Sequence, residues 1–135
     1  MKPIGYWLNR TDQALTAAMD ALLAEFGLTR LGWQVLNVLR DDPAAGDATV
    51  RTVLAANADA AALDSAVAAV LAGGWAARPE PDRLALTDDG RARLGLVARR
   101  VGAFRELSTA GISPQEYRTA VSVLERMTRN LTADR

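Results

Sequence analysis

The chain has 135 residues, 50% hydrophobic and 24% charged, which suits one folded domain with a core of its own. Cysteine and histidine are both absent; this excludes disulfides, thiol chemistry, Cys- or His-based metal sites and the usual general base near neutral pH, and no enzyme is expected. The formal net charge is zero, no stretch is apolar enough to span a bilayer, and the N-terminal residues lack a signal peptide's apolar region, so a cytoplasmic protein with no cofactor, metal or membrane partner is expected.

The first predicted helix runs from about Pro3 to Phe26. Ile4, Leu8, Leu15, Met19, Leu22 and Phe26 recur on one stripe, and Gly27 ends it. Thr29 is placed to cap a second helix carrying Leu31, Val35, Leu36 and Leu39, which stops at Asp41-Asp42-Pro43. After a loop at 44–46, Asp47 or Thr49 caps a short helix with Val50, Val53 and Leu54. A fourth helix follows the break at 57–59 and runs to about Ala72, with Leu63, Val67, Val70 and Leu71 inward.

Gly73-Gly74 stops that helix. Trp75–Arg78 and Arg83–Leu86 then pair as short strands across Pro79-Glu80-Pro81-Asp82. Thr87 suits an N-cap, with Asp88 and Asp89 at the positive end of a fifth helix that reaches about Ser108 on Leu94, Val97, Val101, Phe104 and Leu107. Ser113-Pro114-Gln115-Glu116 is the clearest local signal: an N-cap serine, a proline at the first helical position and a glutamate at the third. The sixth helix shows Tyr117, Ala120 or Val121, Leu124, Met127 and Leu131 on one face.

The order therefore predicts a mainly α protein with a small β-hairpin: a winged helix-turn-helix core plus long N- and C-terminal helices. A hairpin straight after a helix-turn-helix pattern points to DNA. The middle of the chain covers only one or two of the three long apolar helices, which points to a homodimer, although packing within one chain is the plainer alternative.

Charge is unevenly spread. From Asp41 to Asp64 there are five acids and one base, Arg51, whereas Arg91–Arg105 holds five arginines and no acid, a run that also reads as a solvated helix face. The fourth helix holds none of the Arg, Lys, Asn or Gln that dominate major-groove reading; Asp64 and Ser65 are its polar groups.

Several local patterns resemble the MarR family of dimeric winged-helix transcription factors. They are Leu28-Thr29 with Trp33-Gln34-Val35-Leu36, Val70-Leu71-Ala72-Gly73-Gly74-Trp75, Asp82-Arg83 with Leu86-Thr87-Asp88-Asp89-Gly90-Arg91, and Ile112-Ser113-Pro114-Gln115-Glu116. The wing is shorter than is usual in that family. The resemblance implies a single domain over 1–135, with a DNA-binding lobe at about 29–90 and dimerisation helices at about 3–26 and 91–132.

It also implies a ligand-responsive regulator that binds a pseudo-palindromic operator in double-stranded DNA. Arg51, Arg78 and Arg83 would meet phosphates or the minor groove, and Asp64 and Ser65 would meet base edges. A small-molecule effector site is expected near Trp7, Arg10, Trp33 and Asn37, although the two tryptophans also suit a core. The alternative is the same fold with weak or lost DNA binding, holding a small molecule or a protein partner.

Overall fold

The computed structural model describes residues 1–132. Residues 133–135, the end of the span expected to form one domain, lie outside the described residues. Among those described, six helices and one hairpin follow in order: α1 (Ile4–Ala24), α2 (Arg30–Asp41), α3 (Asp47–Val53), α4 (Ala60–Ala72), β1 (Ala76–Ala77), β2 (Ala85–Leu86), α5 (Asp88–Ser108) and α6 (Pro114–Thr132). The described chain divides into two compact units, Met1–Val101 and the residues from Gly102 onward.

Helix starts follow local cap chemistry. The Thr29 hydroxyl accepts from the Gly32 N–H at 3.0 Å, and the Asp59 carboxylate from the Ala62 N–H at 2.8 Å. Thr87 accepts from the Gly90 N–H at 2.8 Å and donates its hydroxyl to the Gly74 carbonyl at 2.7 Å, tying the start of α5 to the end of α4. At α3 the expected cap acts in reverse: the Thr49 hydroxyl reaches back to the Gly46 N–H at 3.2 Å, and Asp47 is already helical. In the second unit, the Ser113 hydroxyl accepts from the Glu116 N–H at 3.0 Å, while the Glu116 carboxylate accepts from the Ser113 N–H at 2.9 Å, a reciprocal capping box. Those bonds hold the Glu116 carboxyl below the ordinary glutamate range.

The core of the first unit is built around α2, which packs on α1, α3, α4 and β2. Val35 and Leu36 are fully buried with Leu23 of α1, Val50 of α3, Leu63 and Val70 of α4, Leu84 of the hairpin and Val97 of α5. At the end of α4, Gly74 takes φ +76°, where the Trp75 N–H bonds to the Val70 carbonyl at 3.1 Å and the Gly74 N–H to that of Leu71 at 3.2 Å. This drops Trp75 into the core, and the Arg93 guanidinium lies 3.8 Å from its ring centroid.

One expectation changes. The strands are two residues each, paired Ala76 with Leu86 and Ala77 with Ala85, not the four residues expected. The reason is competition for a backbone donor: the Leu84 N–H bonds to the Ala45 carbonyl at 3.1 Å, outside the hairpin, so the ladder stops at Ala77 and Ala85. The apolar stripe of α1 is only partly covered among the described residues, in line with the surplus of apolar helix face in the sequence: Ile4, Leu8 and Leu15 are exposed, and Leu22 and Leu23 are the buried residues of that helix. In α6 no residue is buried, and Tyr117, Val121 and Leu131 are exposed.

Candidate nucleic-acid interface

α3, α4 and the hairpin form a helix-turn-helix with a wing. The buried residues of α4 (Leu63, Ala66, Val67, Val70) leave Ala61, Asp64, Ser65 and Ala68 on the outward face. That face is short of donors, as the sequence implies. The cations around it come from neighbouring elements, and each of the three expected to act there meets a carboxylate.

Arg51, in the last turn of α3, donates to the Asp64 carboxylate at 3.0 Å, with both side chains about half exposed (50% and 56%). Asp64, expected to meet a base edge, is therefore an acid already paired within the chain. The two residues are 13 positions apart on different helices, so no spacing rule joins them.

Arg78 follows β1 and grips Asp47, at the start of α3, through two parallel bonds of 2.7 and 3.0 Å, and also donates to the Pro81 carbonyl at 3.3 Å. The Arg78 hydrogen bond holds the Asp47 carboxyl below the ordinary aspartate range. Asp47 is the residue that sequence reasoning overlooked at this surface. Its one legible signal was its place in the first turn of a helix.

Arg83 does not stand free at a wing tip. Its guanidinium donates to the Pro43 carbonyl at 3.3 Å and lies 3.6 Å from Glu80, and its Nε is shielded from solvent without a partner among the described residues. The structure thus brings Arg51, Asp64 and Ser65 to the α3–α4 surface and draws Arg78 and Arg83 back towards α3 and the loop before it.

Exposed ion pairs contribute little, ~0–1 kcal/mol. For the half-exposed Arg51–Asp64 pair, exchanging the carboxylate for a phosphate oxygen is therefore cheap. The pairing lowers the local positive charge at rest without removing the donors.

The Asp47–Arg78 pair predicts an acid-side loss of stability. A carboxyl whose folded pKa is depressed contributes stability above its unfolded pKa, and loses that contribution as pH falls through the folded value. Wild type is therefore expected to be more stable than Asp47→Asn at pH 7, with the two converging as pH falls below about 4, near the ordinary aspartate value. Thermal melts of both proteins across pH check this. A gap that persists unchanged well below that range contradicts it.

The residues expected at an effector site lie apart from this surface. Trp7 and Arg10 are exposed on α1 beside Tyr6, with the Trp7 ring edge-on to it at 5.0 Å and the Arg10 guanidinium 5.7 Å from its centroid. Trp33 and Asn37 are half-buried on α2. Asn37 lines an open groove between α2 and α3, whereas Trp7, Arg10 and Trp33 are not among that groove's lining residues. Among the described residues, no group of three or more carboxylates is arranged to hold a metal ion, and no helix is long and apolar enough to cross a membrane.

Neither a protein-family model nor a curated protein matches the sequence. Solved structures match the fold, and MarR-family regulators are among them. A mutant E. coli MarR complexed with operator DNA is 21% identical, with 93% of each chain covered and a TM-score of 0.72. BpsR of Bordetella bronchiseptica, whose DNA binding is regulated by 6-hydroxynicotinic acid, is 26% identical, covering 98% of this chain and 96% of its own, with a TM-score of 0.71. A Listeria innocua protein of unknown function is 20% identical, covering 94% of this chain and 91% of its own, with a TM-score of 0.74.

Proposed function

We propose that this chain, which has the winged-helix fold of the MarR-family regulators, is a cytoplasmic, dimeric transcriptional regulator. It binds a pseudo-palindromic operator in double-stranded DNA, and a small molecule shifts the geometry of the dimer. The observation that carries the reading is the near-complete overlap of fold with a regulator bound to its operator. The outward face of α4, flanked by Arg51, supports it locally.

In this reading residues 29–90 are the DNA-binding lobe, and the helices at 3–26 and 91–132 pair with a second copy. The exposed Ile4, Trp7, Leu8 and Leu15 on α1, and Tyr117, Val121 and Leu131 on α6, supply apolar surface for that pairing. Arg51 and Arg78 leave their carboxylates for phosphates, Arg83 follows when the wing meets the minor groove, and Ser65, Asp64 and the alanine methyls of α4 meet base edges. Trp7, Arg10, Trp33 and Asn37 are the effector contacts.

One observation favours a second reading, a MarR-like fold that holds a small molecule or a protein instead of DNA. Each of Arg51, Arg78 and Arg83 has a carboxylate partner within the chain. Light scattering separates the two. A dimer alone, and one dimer per duplex with DNA from upstream of its own gene, is the expected result. A monodisperse monomer, or a dimer that never adds the mass of a duplex at low salt, overturns the regulator.

A further inference from the structure

The open groove between α2 and α3 has a volume of about 340 Å3 and belongs to neither the hairpin nor the outward face of α4. Its walls include Val38, Val53 and Leu54, and Val53 is 58% exposed there, a large apolar side chain facing water. The two charged residues among its lining residues are carboxylates, Asp41 and Asp42 at the end of α2, and no basic residue is among them. Asp41 accepts from Arg40 at 3.1 Å, while one oxygen of Asp42 accepts from the Ala44 N–H at 2.9 Å and leaves the other for a further donor.

Asn37 adds an independent observation. Its side-chain oxygen is shielded from solvent and has no hydrogen-bond partner among the described residues, although the residue lines the groove. A buried acceptor without a donor costs ~1–3 kcal/mol, which an incoming N–H can recover. The terminal torsion of asparagine is broad, so the carboxamide turns towards such a donor at little cost.

We infer that this groove is a binding site for a small molecule with an apolar, ring-sized body and a protonated amine. The body covers Val38, Val53 and Leu54, while the ammonium sits against Asp42 and Asp41 and donates to the Asn37 oxygen. An anion of the same size meets two carboxylates and no cation on the groove wall. The groove shares Asn37 with the effector contacts proposed above but not Trp7, Arg10 or Trp33, so it is a site of its own, and it rests on the proposed function only for its consequence. α3 carries Arg51 and packs on α4, so an occupant that moves α3 against α2 moves both parts of the DNA-facing surface.

Phenethylamine and phenylacetate, alike in body and opposite in charge, test the site on the full chain by amide chemical shifts. Phenethylamine is expected to saturate with shifts confined to about residues 34–54, and phenylacetate at the same concentration to leave them unmoved. Asn37→Ala and Asp42→Asn should each weaken phenethylamine several-fold. Val53→Trp, at an exposed position, should block it while the rest of the spectrum stays folded. Equal shifts with both probes, shifts elsewhere, or none up to about 10 mM, a weak limit even for so small a ligand, overturn the inference. The readout does not involve DNA, so failure of the regulator reading leaves it intact, and failure of the groove leaves operator binding untouched.

Discussion

Replacing Gly90 by alanine is expected to cost ~3 kcal/mol or more of stability, at the upper end of what overpacking does. A Cβ at Gly90 falls 1.9 Å from the Trp75 carbonyl oxygen and 2.7 Å from its carbon. Both are backbone atoms, so no side chain can swing away. That carbonyl also accepts from the Thr87 N–H at 3.0 Å, and Trp75 is pinned in the core beneath Arg93. Relief therefore requires separating the start of α5 from the end of α4, which loosens the hairpin between them. Gly95 in the same helix is the control, because a Cβ there meets nothing within 4 Å. Gly95→Ala should stabilise by up to ~1 kcal/mol through helix propensity. Chemical denaturation of the three proteins reads both effects, and a Gly90→Ala protein as stable as wild type contradicts the packing described.

Arg51→Ala is expected to weaken every duplex alike, by about 10-fold or more per dimer at low salt, and to flatten the dependence of log affinity on log salt by about two. Asp64→Asn should act differently. It removes an acid from the DNA-facing helix and frees Arg51, so unrelated duplexes bind more tightly. The preference for the operator should shrink about 10-fold, since one wrong base contact is worth ~1–3 kcal/mol. A rise that is equal on all duplexes makes Asp64 a simple repeller and favours the second reading. No change on any duplex for Arg51→Ala removes α3 from the interface.

The helix starts were legible because cap chemistry is local. Thr29, Thr87 and the Ser113–Glu116 box each act within three residues of their own position. The apolar stripes were legible too, but periodicity says only that a face wants cover and not what supplies it, and Leu8 and Leu15 stay exposed in the chain. The site was harder to read. Arg78 is set by a carboxylate 31 residues away and Arg83 by a carbonyl 40 residues away, pairings that no spacing rule contains. A backbone bond just as remote in sequence, from the Leu84 N–H to the Ala45 carbonyl, ends the wing's strands after two residues. Gly90 belonged to a pattern visible in the sequence, yet the reason for it, the Trp75 carbonyl against its Cα, exists only in the fold.

Operator recognition is tested most directly by fluorescence anisotropy of wild type on two duplexes of equal length and composition across a salt series, one from upstream of its own gene and one scrambled. A sequence-reading dimer is expected to prefer its own duplex by at least about 1,000-fold near physiological salt, with both affinities falling steeply as salt rises. Equal affinity for the two, or no binding to either at low salt, contradicts a DNA-reading regulator.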